Sequence, residues 1–275
     1  MKNVLFATTA LVLTAGVASA EVTFSGTAAA GVVQANGAAD MRVFNGMDIN
    51  ISATATSDSG VTLTVADDIG GGETVDWNDD YAIDAQSNLI GQPSVTVAAG
   101  GVTAVFDNDE VDHLDSDAVA GDVSVSTSMG DATVAVVLDV DQSSGTDFSW
   151  SAGYTMSGVT LSASGQDDSN NIGASYTMGN ITVGVSTDDD GAGTRTNEAT
   201  VSYTAGAVTL SAAVDDQDAW SVDLAYTAGA MSAAFGTDNN EEWDANVSYD
   251  LGGGVSMFGS TNHDEFMAAG INFAF

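Results

Sequence analysis

The sequence contains no cysteine, one proline and only three basic residues among 275 positions. The lack of cysteine excludes a disulfide framework and any thiol chemistry. Lys2 belongs to a leader described below, so Arg42 and Arg195 alone stand against 39 acidic residues in the rest of the chain. Proteins bind nucleic acids and anionic lipid headgroups through clusters of Lys and Arg, and this charge balance excludes both as electrostatic partners.

Long apolar runs are confined to the N-terminus. Lys2 precedes an apolar stretch from Val4 to Val17, and Ala-Ser-Ala ends at Ala20. This pattern predicts a secretory signal peptide over residues 1–20, cleaved to leave a single mature domain over 21–275. No later stretch approaches the roughly 18 apolar residues of a spanning helix. A membrane location would therefore require a closed β-barrel, since only helices and barrels satisfy every backbone group in lipid.

Catalytic motifs are missing as well. The sequence has no G-x-S-x-G, no H-E-x-x-H and no glycine-rich phosphate loop. Its two histidines, His113 and His263, lie in acidic segments without a partner set. We therefore expect no enzyme activity, no catalytic residue and no organic cofactor.

The residues that are abundant favour an all-β fold. Val, Thr, Ser and Ala are frequent, and 31 glycines supply turns. Apolar and polar residues alternate along many short segments, as in 243–250, where Trp243 and Val247 share one face and Asp244 and Asn246 the other. The predicted strands are 22–33, 43–56, 61–67, 94–99, 102–107, 122–129, 132–140, 147–156, 159–165, 171–178, 181–187, 196–204, 207–214, 219–227, 230–237, 243–250, 255–261 and 266–275.

A hairpin repeat organises the second half of the chain. A tyrosine, a tight glycine turn and a short alternating run recur five times, with the tyrosines 22, 27, 23 and 23 residues apart. Tight turns alternate with longer acidic connections along the whole chain, which is the layout of outer-membrane barrels. Eight tight turns predict 18 strands, with the first and last strands paired. We interpret residues 67–93 as a long external loop.

The aromatic residues predict two interface belts. The repeat tyrosines precede the short turns, and three tryptophans begin strands at the loop end on the same face. Amphipathic aromatic rings favour a membrane–water interface. The alternative is a stack of core aromatics in a soluble sandwich or solenoid. The residues expected to form the belts are Trp150, Tyr154, Tyr176, Tyr203, Trp220, Tyr226, Trp243, Tyr249 and Phe275.

Several segments resemble the general-diffusion porins of alphaproteobacteria, Rhodobacter type. They are the leader through Gly26, the hairpins around residues 51–63 and 94–107, and the segment 249–254 with the alternating last strand that ends at Phe275. The resemblance implies a 16-stranded trimeric barrel, a wide water channel and an inward third loop. It also implies insertion into outer-membrane lipid by assembly machinery that recognises the last strand. The arginines that family members carry on the second strand are absent from residues 46–51, and the segment matching the inward loop, 107–121, is short.

Acidic residues are the candidate determinants of selectivity. The densest run starts at Asp107; it could form a cation-selective carboxylate ring in a pore or an exposed, solvated external loop. Weak Ca²⁺ or Mg²⁺ binding at the acidic loops is a further possibility, since these ions prefer carboxylate oxygens. The residues expected to line the pore are Asp48, Asn50, Asp107, Asp109, Glu110, Asp112, Asp115, Asp117, Asp223, Asp244 and Asn246.

These patterns predict an outer-membrane porin, exported through the periplasm, that lets ions and small hydrophilic solutes diffuse passively with a preference for cations. A different interpretation is a secreted or surface acidic β-protein that binds divalent cations in a structural or adhesive role. A third is a barrel too narrow to conduct. Strand number, either 16 or 18, and the position of residues 107–121 stay open at this level.

Overall fold

A computed structural model describes residues 20–38, 40–75, 83–114, 120–141 and 146–275. The predicted signal peptide, apart from Ala20, lies outside these residues. Within them the chain forms strands and no helix, and none of the described segments is a helix long and apolar enough to cross a membrane. The strands are β1 Glu21–Gln34, β2 Arg42–Thr56, β3 Thr62–Val75, β4 Ile83–Ala85, β5 Ser94–Ala99, β6 Val102–Asp112, β7 Ala120–Met129, β8 Ala132–Leu138, β9 Phe148–Met156, β10 Val159–Gln166, β11 Ser169–Met178, β12 Ile181–Asp189, β13 Arg195–Ala205, β14 Val208–Asp215, β15 Trp220–Ala228, β16 Met231–Asp238, β17 Trp243–Gly252, β18 Val255–Asn262 and β19 Met267–Ala274.

Eighteen of these strands close into an antiparallel barrel. Each wall strand pairs with the next wall strand in sequence. β3 pairs with β5 in the wall, and the end of β3 pairs separately with the short strand β4. The ring closes where β1 pairs with β19 over eight register positions. The backbone of Gly26 exchanges hydrogen bonds of 3.0 Å with that of Phe275, so both ends of the barrel lie at the short-turn rim. The prediction of 18 strands is confirmed, and the 16 implied by the resemblance is wrong for this chain.

The alternation in the sequence fixes the two faces of the wall. On β17, Trp243, Val247 and Tyr249 pair with Thr237, Ala233 and Met231 of β16 on the outer face. Asp244 and Asn246 project from the other face, and the register carries this parity from strand to strand around the ring. Large apolar side chains are exposed along the outer face, which is the surface that faces lipid in such a barrel. The inner face is polar over most of the ring.

The hairpin repeat has a common local structure. Gly179, Gly206 and Gly229 adopt φ of 63°, 62° and 61°, the left-handed conformation that glycine reaches without steric cost. Beside each of three of the repeat turns, two threonine hydroxyls meet across the inner face. These pairs are Thr155–Thr160 at 3.3 Å, Thr177–Thr182 at 3.0 Å and Thr204–Thr209 at 3.1 Å. The tight turn fixes the register, so every repeat presents the same face to the inside.

The segment 67–93 is not simply a loop, which corrects the sequence-based interpretation. β3 continues eight residues beyond its predicted end, to Val75, and pairs with β4 as a short hairpin. β6 also extends past its predicted end, through a bulge between Phe106 and Val111. All other strand ends agree with the prediction within two residues. A local pattern cannot show where a strand continues beyond the wall, because that depends on the surface it packs against.

Candidate functional site

The inner face of the barrel is the candidate functional site, and it is acidic. Along each strand, inward polar side chains alternate with outward apolar ones, so residues two positions apart share a face. A carboxylate near the external end of a strand therefore projects inward when it is an even number of residues from the inward Ser, Thr and Asn residues of that strand. This geometry collects acids from strands that are far apart in sequence. The inward acids given by the register include Asp48, Asp68, Asp107, Asp122, Asp188, Glu198, Asp215, Asp223, Asp238 and Asp244, and, next to the short turns, Glu21 and Asp250.

Three of the predicted pore residues form one group on β15–β17. Asp223 and Asp244 flank Gly236 on the inner face, and a Cβ at Gly236 would lie 3.1 Å and 2.6 Å from their Oδ1 atoms. The missing side chain at Gly236 thus makes room for both carboxylates. Asn246 is two residues further along the same face, and all of these residues line a recess of about 520 Å³. The two carboxylates and the amide thus place several oxygen atoms, and the negative charge of the carboxylates, on the inner face of the barrel.

Two more predicted residues lie on β2. Asn50 donates a hydrogen bond of 3.1 Å from Nδ2 to Oδ2 of Asp48. Asp68 of β3 is the register partner of Asn50, so two carboxylates and an amide share one patch. Asp107 lies on the inner face of β6 and lines a second recess, of about 330 Å³, with Asp68 and Glu110.

The acidic run after Asp107 divides between wall and loop. Asp109 has a φ of 58° and donates its backbone N–H, at 3.2 Å, to Asp122 on β7. Glu110 and Asp112 belong to the extension of β6, while Asp115 and Asp117 lie outside the described residues. Carboxylate oxygens of Asp109, Asp122 and Asp141 lie within 4.8 Å of one another. Within the described part of the chain, the run is thus divided between the inner face of the wall and the extension of β6.

His113 was not predicted to have a role, yet it is one of the most buried residues at 1% exposure. Its Nδ1 is 2.8 Å from Oγ of Ser149, a fully buried residue on the inner face of β9. The same Oγ accepts a hydrogen bond of 2.9 Å from the N–H of Leu114. These contacts hold the start of the 113–119 connection against the inside of the wall.

Both arginines are paired with acids at the external rim. Arg42, on the inner face of β2, forms a two-pronged contact with Glu73, of which the Nη2–Oε1 bond is 2.8 Å long. Arg195 lies on the outer parity of β13 and contacts Asp189 at 2.7 Å. Arg42 is thus the one described inward arginine on β2, and its charge is balanced by Glu73.

The predicted belt residues lie on the outer face. Among the described residues, all tryptophans and tyrosines occur on five alternate strands, β9, β11, β13, β15 and β17. Trp150 covers Gly165 of β10, where a Cβ would lie 3.1 Å from the indole nitrogen. Phe275 stacks on Phe273 with ring centroids 5.7 Å apart. Within the described residues, the tryptophans and tyrosines of the belt thus lie in one half of the wall, from β9 to β17.

Sequence reasoning missed most of the inward acids, including Asp188, Glu198 and Asp215. Each of these acids lies on the same face of its strand as inward serine and threonine residues. Extending the alternation to the ends of the strands would therefore have placed them inside.

Comparison with known proteins supports the geometry. A family model described as Gram-negative porin matches residues 7–268. A mutant of Rh. blastica porin is 15% identical with a TM-score of 0.54, over 92% of this chain and 100% of that chain. A triple mutant of Rhodopseudomonas blastica porin is 15% identical with a TM-score of 0.55, over the same shares. A porin structure refined at 1.8 Å resolution is 14% identical with a TM-score of 0.55, over 93% of this chain and 100% of that one. At these identities the structures show the fold alone. A sequence search of curated proteins gives no match.

Proposed function

Because this chain belongs to the Gram-negative porin family, we propose that its outer-membrane channel conducts cations in preference to anions. Porins are channels and not enzymes, and an 18-stranded barrel is wide enough to enclose an aqueous channel. The family assignment favours the channel over the secreted acidic β-protein. We further propose that the chain is exported with cleavage of its leader after Ala20 and inserted by assembly machinery that recognises β19.

The observation that carries the cation preference is the charge of the inner face. The inward acids named above face the lumen, while the inward Arg42 is neutralised by Glu73. Carboxylates lining a pore attract cations and repel anions over a distance of about 10 Å at 0.1 M salt. Since the lumen of a wide barrel is filled with water and salt, the preference should weaken steadily as salt concentration rises.

Reversal potentials of the refolded protein in planar bilayers under a KCl gradient test this proposal. The wild-type channel should be cation-selective, and the double substitution D223N/D244N should reduce the permeability ratio. A matched control is D67N/D189N, which removes two acids of outer parity. Anion preference in the wild type, or equal effects of the two double variants, would contradict the proposal.

We also propose that the barrel assembles as a homotrimer through the outer face of β1–β8. Tryptophan and tyrosine favour the lipid interface, and the described residues of these strands contain neither. The middle of the outer face of β1 instead carries the small residues Gly26, Ala28 and Ala30, which allow another wall to approach closely. Light scattering in detergent should give a trimer for the wild type and for Ala174→Trp on β11. Ala30→Trp should lower the mass to that of a monomer; an unaffected trimer would exclude this face.

Weak binding of Ca²⁺ or Mg²⁺ at the acidic loops also stays a proposal. Asp109, Asp122 and Asp141 supply the donor set that best fits a hard cation among the described residues. Terbium luminescence, with competition by Ca²⁺, should detect binding that D122N reduces. Identical titrations of the wild type and the variant would exclude this location.

A further inference from the structure

The end of β3 leaves the barrel wall and crosses its inner face. The register between β2 and β3 ends at Gly46 opposite Gly72. A Cβ at Gly46, which shares the inward parity of Asp48, would lie 2.3 Å from the backbone N of Glu73 and 2.5 Å from its O. Glu73 therefore passes directly over the inside of β2, and it does so only because residue 46 lacks a side chain.

Beyond this crossing the chain is a paired hairpin. Residues 73–75 pair with β4 from Glu73–Ala85 to Val75–Ile83. The amide of Gln86 donates to the carbonyl of Gly72 at 2.9 Å, and its side chain donates to Oγ1 of Thr74 at 2.6 Å. The residues that join the two halves, 76–82, lie outside the described ranges. We call the described part, residues 70–75 and 83–87, the inner hairpin.

An apolar cluster fixes the inner hairpin to the wall. Val75 is 6% exposed and packs with Val33 and Phe44, which are each 1% exposed, although both belong to the otherwise polar inner face. Ala29, Phe258 and Ala268 complete the cluster from β1, β18 and β19. Ile83 and Phe266 pack against it. Burial of one such side chain contributes about 1.5–3 kcal/mol relative to exposure in water. A water-filled lumen would leave these residues wet, so the cluster itself requires the hairpin as a cover. The Arg42–Glu73 contact lies next to it.

We propose that the inner hairpin is a fixed constriction of this channel, formed by its second external connection. This inference rests on the proposed channel function. A barrel of 18 strands spaced about 4.8 Å apart and tilted about 40° has a backbone radius of about 18 Å. With inner side chains in place, a two-stranded ribbon about 10 Å wide and about 10 Å thick occupies roughly a fifth of the open cross-section. Releasing the hairpin should raise single-channel conductance about 1.1- to 1.3-fold.

Gly46→Ala and Gly71→Ala form a matched pair for the first test. The new methyl of Gly46→Ala would collide with Glu73, whereas a Cβ at Gly71 meets nothing within 4 Å. Gly46→Ala should raise conductance and the size limit for neutral polyethylene glycols, and Gly71→Ala should leave both unchanged. Heat-modifiable migration of each variant on gels confirms that the barrel is folded.

Thiol labelling tests docking without relying on conduction. Since the chain has no cysteine, Val75→Cys and Leu89→Cys can be introduced singly and reacted with a hydrophilic maleimide. Leu89 is 73% exposed and should react quickly, whereas Cys at 75 should be protected and should become reactive when combined with Gly46→Ala.

Three outcomes have distinct meanings. Equal labelling at both positions overturns the docked hairpin. If Gly46→Ala makes the cysteine at position 75 reactive but changes neither the conductance nor the size limit, the hairpin is docked but is not a constriction, and the proposal is overturned. A wild-type protein that conducts no ions refutes the channel function itself, and labelling still reports whether the hairpin is docked.

Discussion

The seam where the first and last strands meet allows a sharp prediction about barrel stability. Gly31 of β1 lies opposite Gly270 of β19, and Phe44 and Phe258 cover the two glycines from the flanking strands. Their ring centroids are 6.3 Å apart with an interplanar angle of 55°, within the range of attractive tilted aromatic pairs. The rings therefore bridge the closure of the barrel from inside, in the space that two missing side chains leave.

Replacing Phe44 by alanine should destabilise the barrel by about 3–5 kcal/mol, because the ring is almost fully buried and its loss leaves a cavity. Phe258→Ala should have a comparable effect. The direct ring–ring contribution is about 0.5–1.5 kcal/mol, and the double variant should show a coupling of that size.

Urea unfolding of the refolded protein in lipid vesicles, followed by tryptophan fluorescence, measures these values by linear extrapolation. Phe235→Ala combined with Phe44→Ala is the control, since Phe235 is 43% exposed on the outer face and lies on a distant strand. Its coupling to Phe44 should be close to zero. A cost below about 1 kcal/mol for Phe44→Ala, or equal couplings in the two cycles, would refute the role of the aromatic pair.

Two further predictions concern the external side of the barrel. The pKa of Asp190 is lowered by hydrogen bonds from the backbone of Thr194 and Ala192, and that of Asp216 by the backbone and side chain of Asn197. Each lowered pKa stabilises its loop at pH values above the unfolded pKa of about 3.9, and this stabilisation is lost as pH falls through the folded pKa. Carboxyl NMR titration should give midpoints for Asp190 and Asp216 below about 3.9, and midpoints at or above that value would contradict the prediction. Ser149→Ala should cost about 1–3 kcal/mol by removing the hydroxyl that serves both His113 and the Leu114 amide. Ser151→Ala, one inward position further along β9, should cost less in the same urea assay; equal costs would show that the contact with His113 is dispensable.

Most of the wall could be predicted from sequence because each strand carries its own information. A strand between lipid and water must be apolar on one face and polar on the other, so period-two alternation shows both its extent and its orientation. Tight glycine turns then fix which strands are neighbours. Residues such as Asp223 and Asp244 could be placed inside on this basis alone.

The inner hairpin could not be predicted, because it depends on contacts between distant parts of the chain. Residues 69–72 contain three consecutive glycines, a pattern typical of the end of a strand. β3 can continue because Gly46 has no side chain and leaves room for the backbone of Glu73. The sequence nevertheless contained one indication of the hairpin. Phe44 and Phe258 lie on the inner face, where the residues two positions away on either side are polar or glycine. An aromatic residue facing a water-filled lumen needs a cover, and the question of what covers it points to the hairpin.

We expect size exclusion and ion selectivity to depend on different parts of the wall. The inner hairpin is fixed to β1, β2, β18 and β19, whereas most inward acids lie on β12–β17. Arg42, the described inward base, holds Glu73 of the hairpin and so does not oppose the acids across the lumen. The two properties should therefore separate. Gly46→Ala should widen the channel with little change in the cation-to-anion permeability ratio, while D223N/D244N should lower that ratio with little change in the size limit for neutral solutes. If either variant moved both quantities together, the hairpin and the acids would have to act on the ions at the same place.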